Sequence, residues 1–142
     1  MTLNIQRLHA AAILPTRAHP DDAGLDLYAA EEIGIPVLGR NLVRTGIAVA
    51  IPPGHVGYIT PRSGLAHSNG ITVLNAPGTI DAGYTGEIRV NLVNHGQAPY
   101  VVTQGQRIAQ LVIQPIITPA VEEVDQLEPS DRSENGFGST GI

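Results

Sequence analysis

Apolar residues in this chain recur at every second position over short stretches, and nowhere do they keep a helical period for long. Ile47-Ala-Val-Ala-Ile51 runs into Pro52-Pro53-Gly54, Val56–Thr60 runs into Pro61, and Ile88, Val90 and Leu92 alternate with Arg89 and Asn91. Successive side chains of a strand point to opposite faces, so each stretch predicts a strand with one buried face, ended by turn residues. Arg107–Ile117 is longer and alternates too poorly to define a face; its β-branched residues predict a strand buried on both sides. Eleven prolines and sixteen glycines interrupt every longer segment, which leaves room for about ten short strands. The one helix predicted is Ser63–Ser68, with Ser63 as its cap and Gly70 as its end. Many short strands joined by Pro/Gly turns predict a sandwich, a jelly roll or a distorted barrel.

At 142 residues the chain is long enough for one domain with its own core and no disulfide. From about Pro129 it loses apolar content: Pro129-Ser-Asp-Arg-Ser-Glu-Asn-Gly-Phe-Gly-Ser-Thr-Gly-Ile142. The expected division is a β core over residues 1–128 and a flexible arm over 129–142.

Composition narrows the chemistry. Hydrophobic residues make up 42% and charged residues 15%, the balance of a globular chain. No stretch approaches the roughly 20 apolar residues of a membrane span, and neither secretion nor insertion is signalled, so cytoplasm is the default expectation. Cysteine is absent, which excludes disulfides, thiolate nucleophiles and Cys-based metal sites. Lysine is absent too, and all eight basic residues are arginine. A P-loop and a pyridoxal Schiff base both need a lysine, so neither class applies. A net charge of −5 without a basic run argues against sequence-independent nucleic-acid binding. An anionic partner must be small and locally gripped.

Four segments carry possible chemistry. Gly136-Phe-Gly-Ser-Thr-Gly141 has glycines at dinucleotide-loop spacing, but no strand precedes it and no helix follows it, so it opens no Rossmann unit. It is either a disordered terminus or an arm in which Phe137, the only phenylalanine, stacks on a base while Arg132, Ser139 and Thr140 bind phosphate oxygens. Pro61-Arg-Ser-Gly64 is either a capped turn or an anion site at a helix start. Asp81-Ala-Gly-Tyr84 fits a plain hairpin; alternatively Asp81, after Ile80, is partly buried and orients a water. Asp26 lies on one face of an alternating strand, as a solvated edge residue or a metal-directed carboxylate. His9, His19, His55, His67 and His95 are dispersed without ligand spacing and receive no role.

Five segments in chain order resemble the motifs of the trimeric dUTPase family. They are Ala23-Gly-Leu-Asp-Leu-Tyr-Ala29, Pro61-Arg-Ser-Gly-Leu-Ala66, Asn75-Ala-Pro-Gly-Thr-Ile-Asp-Ala-Gly-Tyr-Thr-Gly-Glu87, Gly105-Gln-Arg-Ile-Ala-Gln-Leu111 and Arg132-Ser-Glu-Asn-Gly-Phe-Gly-Ser-Thr-Gly141. The likeness runs from about Pro20 to the end and implies an all-β distorted jelly-roll barrel with one short helix, assembled as a homotrimer with sites shared between subunits. It implies hydrolysis of dUTP to dUMP and pyrophosphate. Asp81 would orient the water, while Asn75, Gly78 and Ile80 read uracil and Tyr84 lies against the deoxyribose. Arg62, Ser63, Gly64 and Gln110 would contact the phosphates. Arg132 would hold the γ-phosphate, Phe137 would stack on uracil, and Gly138, Ser139 and Thr140 would add phosphate contacts. Mg²⁺ would be held mainly by phosphate oxygens, with Asp26 reaching it through water. Ser133 and Asn135 stand where the fifth motif usually has glycines, and Gly83 and Thr85 where many members have Asp and Arg.

Beside this reading stand a plain β-sandwich adhesion module, which would leave the lone Phe137 in the tail unexplained, and two nearer rivals. A dCTP deaminase has the same fold, but its catalytic Glu aligns with Asn91, which cannot act as a base. A nucleotide-binding protein without catalysis is the other, and the joint presence of Asp81, Tyr84, Arg132 and Phe137 speaks against it.

Overall fold

The computed structural model describes residues 1–141 and contains ten strands and one helix among them. In chain order the elements are β1 (Asn4–Arg7), β2 (Gly24–Tyr28), β3 (Ile33–Ile35), β4 (Arg40–Ala50), β5 (His55–Thr60), α1 (Ser63–Asn69), β6 (Ile71–Val73), β7 (Gly78–Asp81), β8 (Glu87–Asn94), β9 (Tyr100–Val102) and β10 (Arg107–Pro115). Two four-stranded antiparallel sheets, ordered β1-β4-β8-β6 and β2-β10-β5-β7, are accompanied by a β3-β9 ribbon. The all-β architecture with a single short helix is the one the alternation and the turn residues predict, and its jelly-roll-like form is the one the resemblance implies.

The core lies between the sheets. Ile88, Val90 and Leu92 of β8 are buried as predicted, while Arg89 points to solvent. They meet Leu25, Leu27, Ile59, Ala109 and Leu111 from the other sheet in one cluster. Fully burying a side chain of this size contributes about 1.5–3 kcal/mol. Asn94 is completely buried yet fully occupied: its amide donates to the carbonyls of Ile35 and Ala98, and its Oδ1 accepts from Gly96 N–H.

Three expectations are corrected. β10 is central but not buried on both faces: Ala109 and Leu111 enter the core, whereas Gln110 and Val112 stay half-exposed. A register shift between Arg107 and Ala109 adds Ile108 to the buried set and blurs the alternation. The helix cap is Arg62, with no side-chain cap bond, and Ser63 is the first helical residue. Gly70 does end the helix, with a left-handed φ of 69°, as a C-terminal glycine does. Finally, β7 and β8 form no hairpin: β7 pairs with β5 in one sheet and β8 with β4 and β6 in the other, so the turn between them crosses from sheet to sheet.

No helix among the described residues is long and apolar enough to cross a membrane. Every residue from Gln114 to Gly141 is exposed, including Ile117, Val121 and Leu127.

Candidate functional site

The register of β10 assembles the first part of the site. Gln110 is paired with Asp26 of β2 on one side and with Thr60 of β5 on the other. Because Leu25, Leu27, Ala109 and Leu111 take the core-facing positions, Asp26 and Gln110 project from the opposite face. Just beyond Thr60 the chain reaches Arg62 and the start of α1. Three segments remote in sequence thereby line one cavity of about 340 Å³, among them Gly24, Asp26, Arg62, Ser63, Gly64 and Gln110.

Electrostatics order this cavity. The Asp26 carboxylate, 15% exposed, receives Arg62 Nε at 3.3 Å on Oδ1 and Arg107 Nη1 at 3.4 Å on Oδ2. Arg62 also donates to the Arg107 carbonyl at 3.5 Å, and Gln110 Nε2 donates to the Pro61 carbonyl at 3.2 Å. One carboxylate thus holds two guanidinium groups in place, and a glutamine ties the central strand to the turn before the helix. With no side-chain cap at Arg62, the first N–H groups of α1 lack an internal acceptor. A Cβ on Gly64 would meet nothing within 4 Å, so packing does not require glycine there. Open backbone of this kind suits close approach by an anion.

The third motif builds a different surface. Asn75, on the β6–β7 loop beside a cis Ala76–Pro77 peptide, lines a narrow cleft of about 60 Å³ with Gly78, Ile80 and Asn91. Ile80 also borders an adjoining cleft of about 270 Å³ with Asp81, Tyr84, Glu87 and Arg89. Asp81 ends the edge strand β7 and accepts Tyr84 N–H on its carbonyl at 3.2 Å. Gly83, the third residue of that turn, has φ 94°, a left-handed value that glycine adopts without strain. Asp81 is exposed, not partly buried as expected, because an edge strand leaves its end open to water.

Glu87 has the strongest electrostatic environment in the second surface. Arg44 Nε lies 3.2 Å from each carboxylate oxygen, Arg89 Nε is 3.2 Å from Oε2, and Gly46 N–H donates to Oε1 at 3.0 Å. Burial pushes the Glu87 carboxyl up, but these N–H groups outweigh it and hold the group below its ordinary value.

The predicted residues therefore fall into three groups. Asp26, Arg62, Ser63, Gly64 and Gln110 converge on the first cavity, whereas Asn75, Gly78, Ile80, Asp81 and Tyr84 line the second surface; no residue lines both. Arg132, Phe137, Gly138, Ser139 and Thr140 lie in the exposed tail and border neither. Ser133, at a position where the fifth motif usually has glycine, takes a left-handed φ of 46°. Arg107, Gly24 and Glu87 are site residues that the sequence alone does not mark, although each lies inside one of the five motifs. Arg107 and Glu87 became visible only through partners on other strands.

No group of three or more metal-ligating side chains occurs among the described residues. The first cavity instead presents the carboxylates of Asp22 and Asp26 with the guanidinium groups of Arg62 and Arg107. That mixed set fits a hard cation that arrives on an anionic ligand and keeps most of its oxygens from that ligand and water.

Comparison with known proteins agrees with this geometry. A family model described as dUTPase matches residues 10–141. A deoxyuridine 5'-triphosphate nucleotidohydrolase of Gloeothece citriformis is 54% identical over 142 residues, covering 100% of this chain and 98% of its own. Its namesake in Clostridium kluyveri is 50% identical over 141 residues, covering 99% of each. Among solved structures, a variant of the Staphylococcus bacteriophage 80alpha dUTPase with dUpNHpp superposes at a TM-score of 0.92 and 32% identity, covering 99% of both chains. A variant of the dUTPase from phage phi11 of S. aureus, described for its coordination of a structural Mg(II) ion, gives a TM-score of 0.85 at 31% identity, covering 91% of this chain and 100% of that one.

Proposed function

The chain belongs to the dUTPase family, and on that premise we propose that it hydrolyses dUTP to dUMP and pyrophosphate at sites completed between three identical subunits. Such a reaction removes dUTP as a source of uracil in DNA and supplies dUMP for thymidylate synthesis. One observation carries the reading: three segments distant in sequence meet at a single cavity, where Asp26 organises Arg62 and Arg107 beside Gln110 and the open start of α1.

In this reading Arg62, Ser63, Gly64 and Gln110 hold the triphosphate. Mg²⁺, when bound, offsets the charge on the phosphate oxygens and fixes their arrangement. Asp26 is the carboxylate suited to reach the ion through a water molecule. Asn75 and the backbone of Gly78 and Ile80 pair with uracil, and cytosine would leave those polar groups unmatched. Tyr84 closes the space in which a 2′-hydroxyl would lie. Asp81, open to water at the end of β7, orients the attacking molecule. The water oxygen bonds to the α-phosphorus and gives up a proton to the Asp81 carboxylate, the bond from that phosphorus to the bridging oxygen breaks, and pyrophosphate leaves. Positioning and charge stabilisation do most of this work.

Separation of the two surfaces supports a shared site. A chain that carries a phosphate cavity and a base-reading cleft on different residues completes a site when a second copy brings its cleft to the first copy's cavity. The arm, residues 129–142 and exposed over the described residues 129–141, serves as the cover from a third copy: Phe137 stacks on uracil, Arg132 binds the γ-phosphate, and Gly138, Ser139 and Thr140 add phosphate contacts. Deamination of dCTP is disfavoured because Asn91, half-exposed on β8 in the cleft with Asn75, offers no carboxylate.

The test is incubation of the purified protein and Mg²⁺ with dUTP, dTTP, dCTP or UTP in turn, with products resolved by chromatography. Conversion of dUTP alone to dUMP and pyrophosphate is expected. Turnover of dCTP would favour the deaminase, and binding of dUTP without products would make the protein a nucleotide sensor.

A further inference from the structure

We propose that Glu87 is a positioning residue that sets the orientation of Tyr84, and with it the discrimination between deoxyribose and ribose; this rests on the dUTP-hydrolysing reading of the site. The phenol and the glutamate are linked through the backbone. Tyr84 Oη donates to the Glu87 carbonyl at 3.0 Å. Between them Gly86 lies under the ring so closely that a Cβ there would overlap the phenol. The ring is thus laid along Gly86 and tethered at its far end to one carbonyl oxygen. Wherever that carbonyl goes, the ring follows.

The Glu87 side chain fixes the carbonyl. The β4–β8 ladder breaks between Arg44 and Ala48 and resumes at the pair Ala48↔Glu87. Inside the break Gly46 adopts a left-handed φ of 70°, and its N–H is taken by Glu87 Oε1. Arg44 and Arg89 grip the same carboxylate from flanking positions, and Thr45 Oγ1 donates to the Ile88 carbonyl. The first residue of β8 is therefore fastened to β4 twice, by its ladder pairing with Ala48 and by its side chain, which reaches into the break and takes the N–H of Gly46.

Stability alone does not account for this arrangement. A carboxylate only 9% exposed sits in the wall of the cleft that contains Tyr84 and Asp81. Enclosed ion pairs can often be exchanged for apolar residues without loss of stability. What an apolar residue lacks is the directional grip on the Gly46 N–H and on two guanidinium groups that holds the neighbouring carbonyl in one place.

The experiment measures kcat and KM for dUTP and for UTP, with thermal unfolding alongside, in the unaltered protein, Glu87→Gln, Tyr84→Phe and the double variant. In Glu87→Gln the dUTP-to-UTP ratio of kcat/KM is expected to fall by about tenfold, with KM for dUTP rising more than kcat falls. The double variant should discriminate no worse than Tyr84→Phe alone, because both changes act on one link. Discrimination intact in Glu87→Gln despite a lowered melting temperature would overturn the proposal, as would full additivity in the double variant. If Glu87→Gln does not fold, Arg89→Gln, which leaves Arg44 and Gly46 on the carboxylate, must show a smaller fall in the same ratio; an unchanged ratio there overturns the proposal equally. An unaltered protein that turned over both nucleotides alike would overturn the reading of the site and this inference with it.

Discussion

Gly24, paired with Val112, lies diagonally across the β2–β10 ladder from Gln110, and so close to it that the glutamine carboxamide fills the space a Cβ on Gly24 would occupy. The absence of a side chain on one strand is thus what lets a side chain on the next lie flat and reach the Pro61 carbonyl. Gly24→Ala should displace Gln110 from the cavity and break that link. The atoms in the way are the far end of a flexible, half-exposed side chain that can swing aside, so the melting temperature should change little while KM for dUTP rises. Steady-state kinetics and thermal unfolding check both; an unchanged KM would separate Gln110 from the phosphates.

Asp81→Asn keeps the size and polarity of the side chain but removes its charge. Nucleotide binding by calorimetry should be close to normal, while kcat falls by about 10²- to 10⁴-fold, the range for loss of a positioned base. An unchanged kcat would remove Asp81 from the mechanism.

Deletion of Arg132–Ile142 removes a segment whose described residues, Arg132 to Gly141, are all exposed and outside the core; Arg132 Nε donates to the Asn135 carbonyl within the same segment. The melting temperature and subunit count of the truncated protein should match those of the full chain, and its kcat/KM should fall by at least about tenfold. Full activity without the arm would sink the closure model.

Glu87 gives a pH dependence with a definite direction. Its carboxyl lies below its ordinary value of 4.5 in the folded protein, so the unfolded chain takes up its proton first as pH falls. The stabilisation is complete above the unfolded value and disappears as pH drops through the folded one. Melting temperatures followed from about pH 6 down to about pH 3 should fall more steeply for the unaltered protein than for Glu87→Gln. Parallel curves would show that Glu87 does not carry the difference.

How far these features were legible in the sequence depends on the distance over which each is determined. Ile88, Val90 and Leu92 announce a one-faced strand because alternation is local, and Gly70 ends α1 because a left-handed residue is needed where a helix stops. Pairing is not local. Asp81–Gly86 has the composition of a hairpin, yet β7 and β8 join different sheets, and only the partners on β5, β4 and β6 decide that. Asp26, Arg62 and Gln110 belong to separate motifs along the chain, and their meeting follows from the β10 register. Arg107 carries no local signal, because its importance lies in Asp26, 81 residues away. Ser63 looked like a cap because serine often is one; Arg62 holds that position, and the open N–H groups that result matter more to the cavity than a capped turn would.

The division of the site between two surfaces reaches beyond geometry to concentration and inheritance. Under the proposed assembly, dilution would silence the protein while each chain's core stayed folded, so specific activity would depend on how much protein is present. A chain defective only in its cleft would also spoil a neighbour's intact cavity, and a mixture of mutant and normal chains would lose more than its share of activity. Two different defects, one in each surface, would behave in the opposite way: co-assembled chains would bring an intact cavity and an intact cleft together at some of their junctions and recover function that neither has alone.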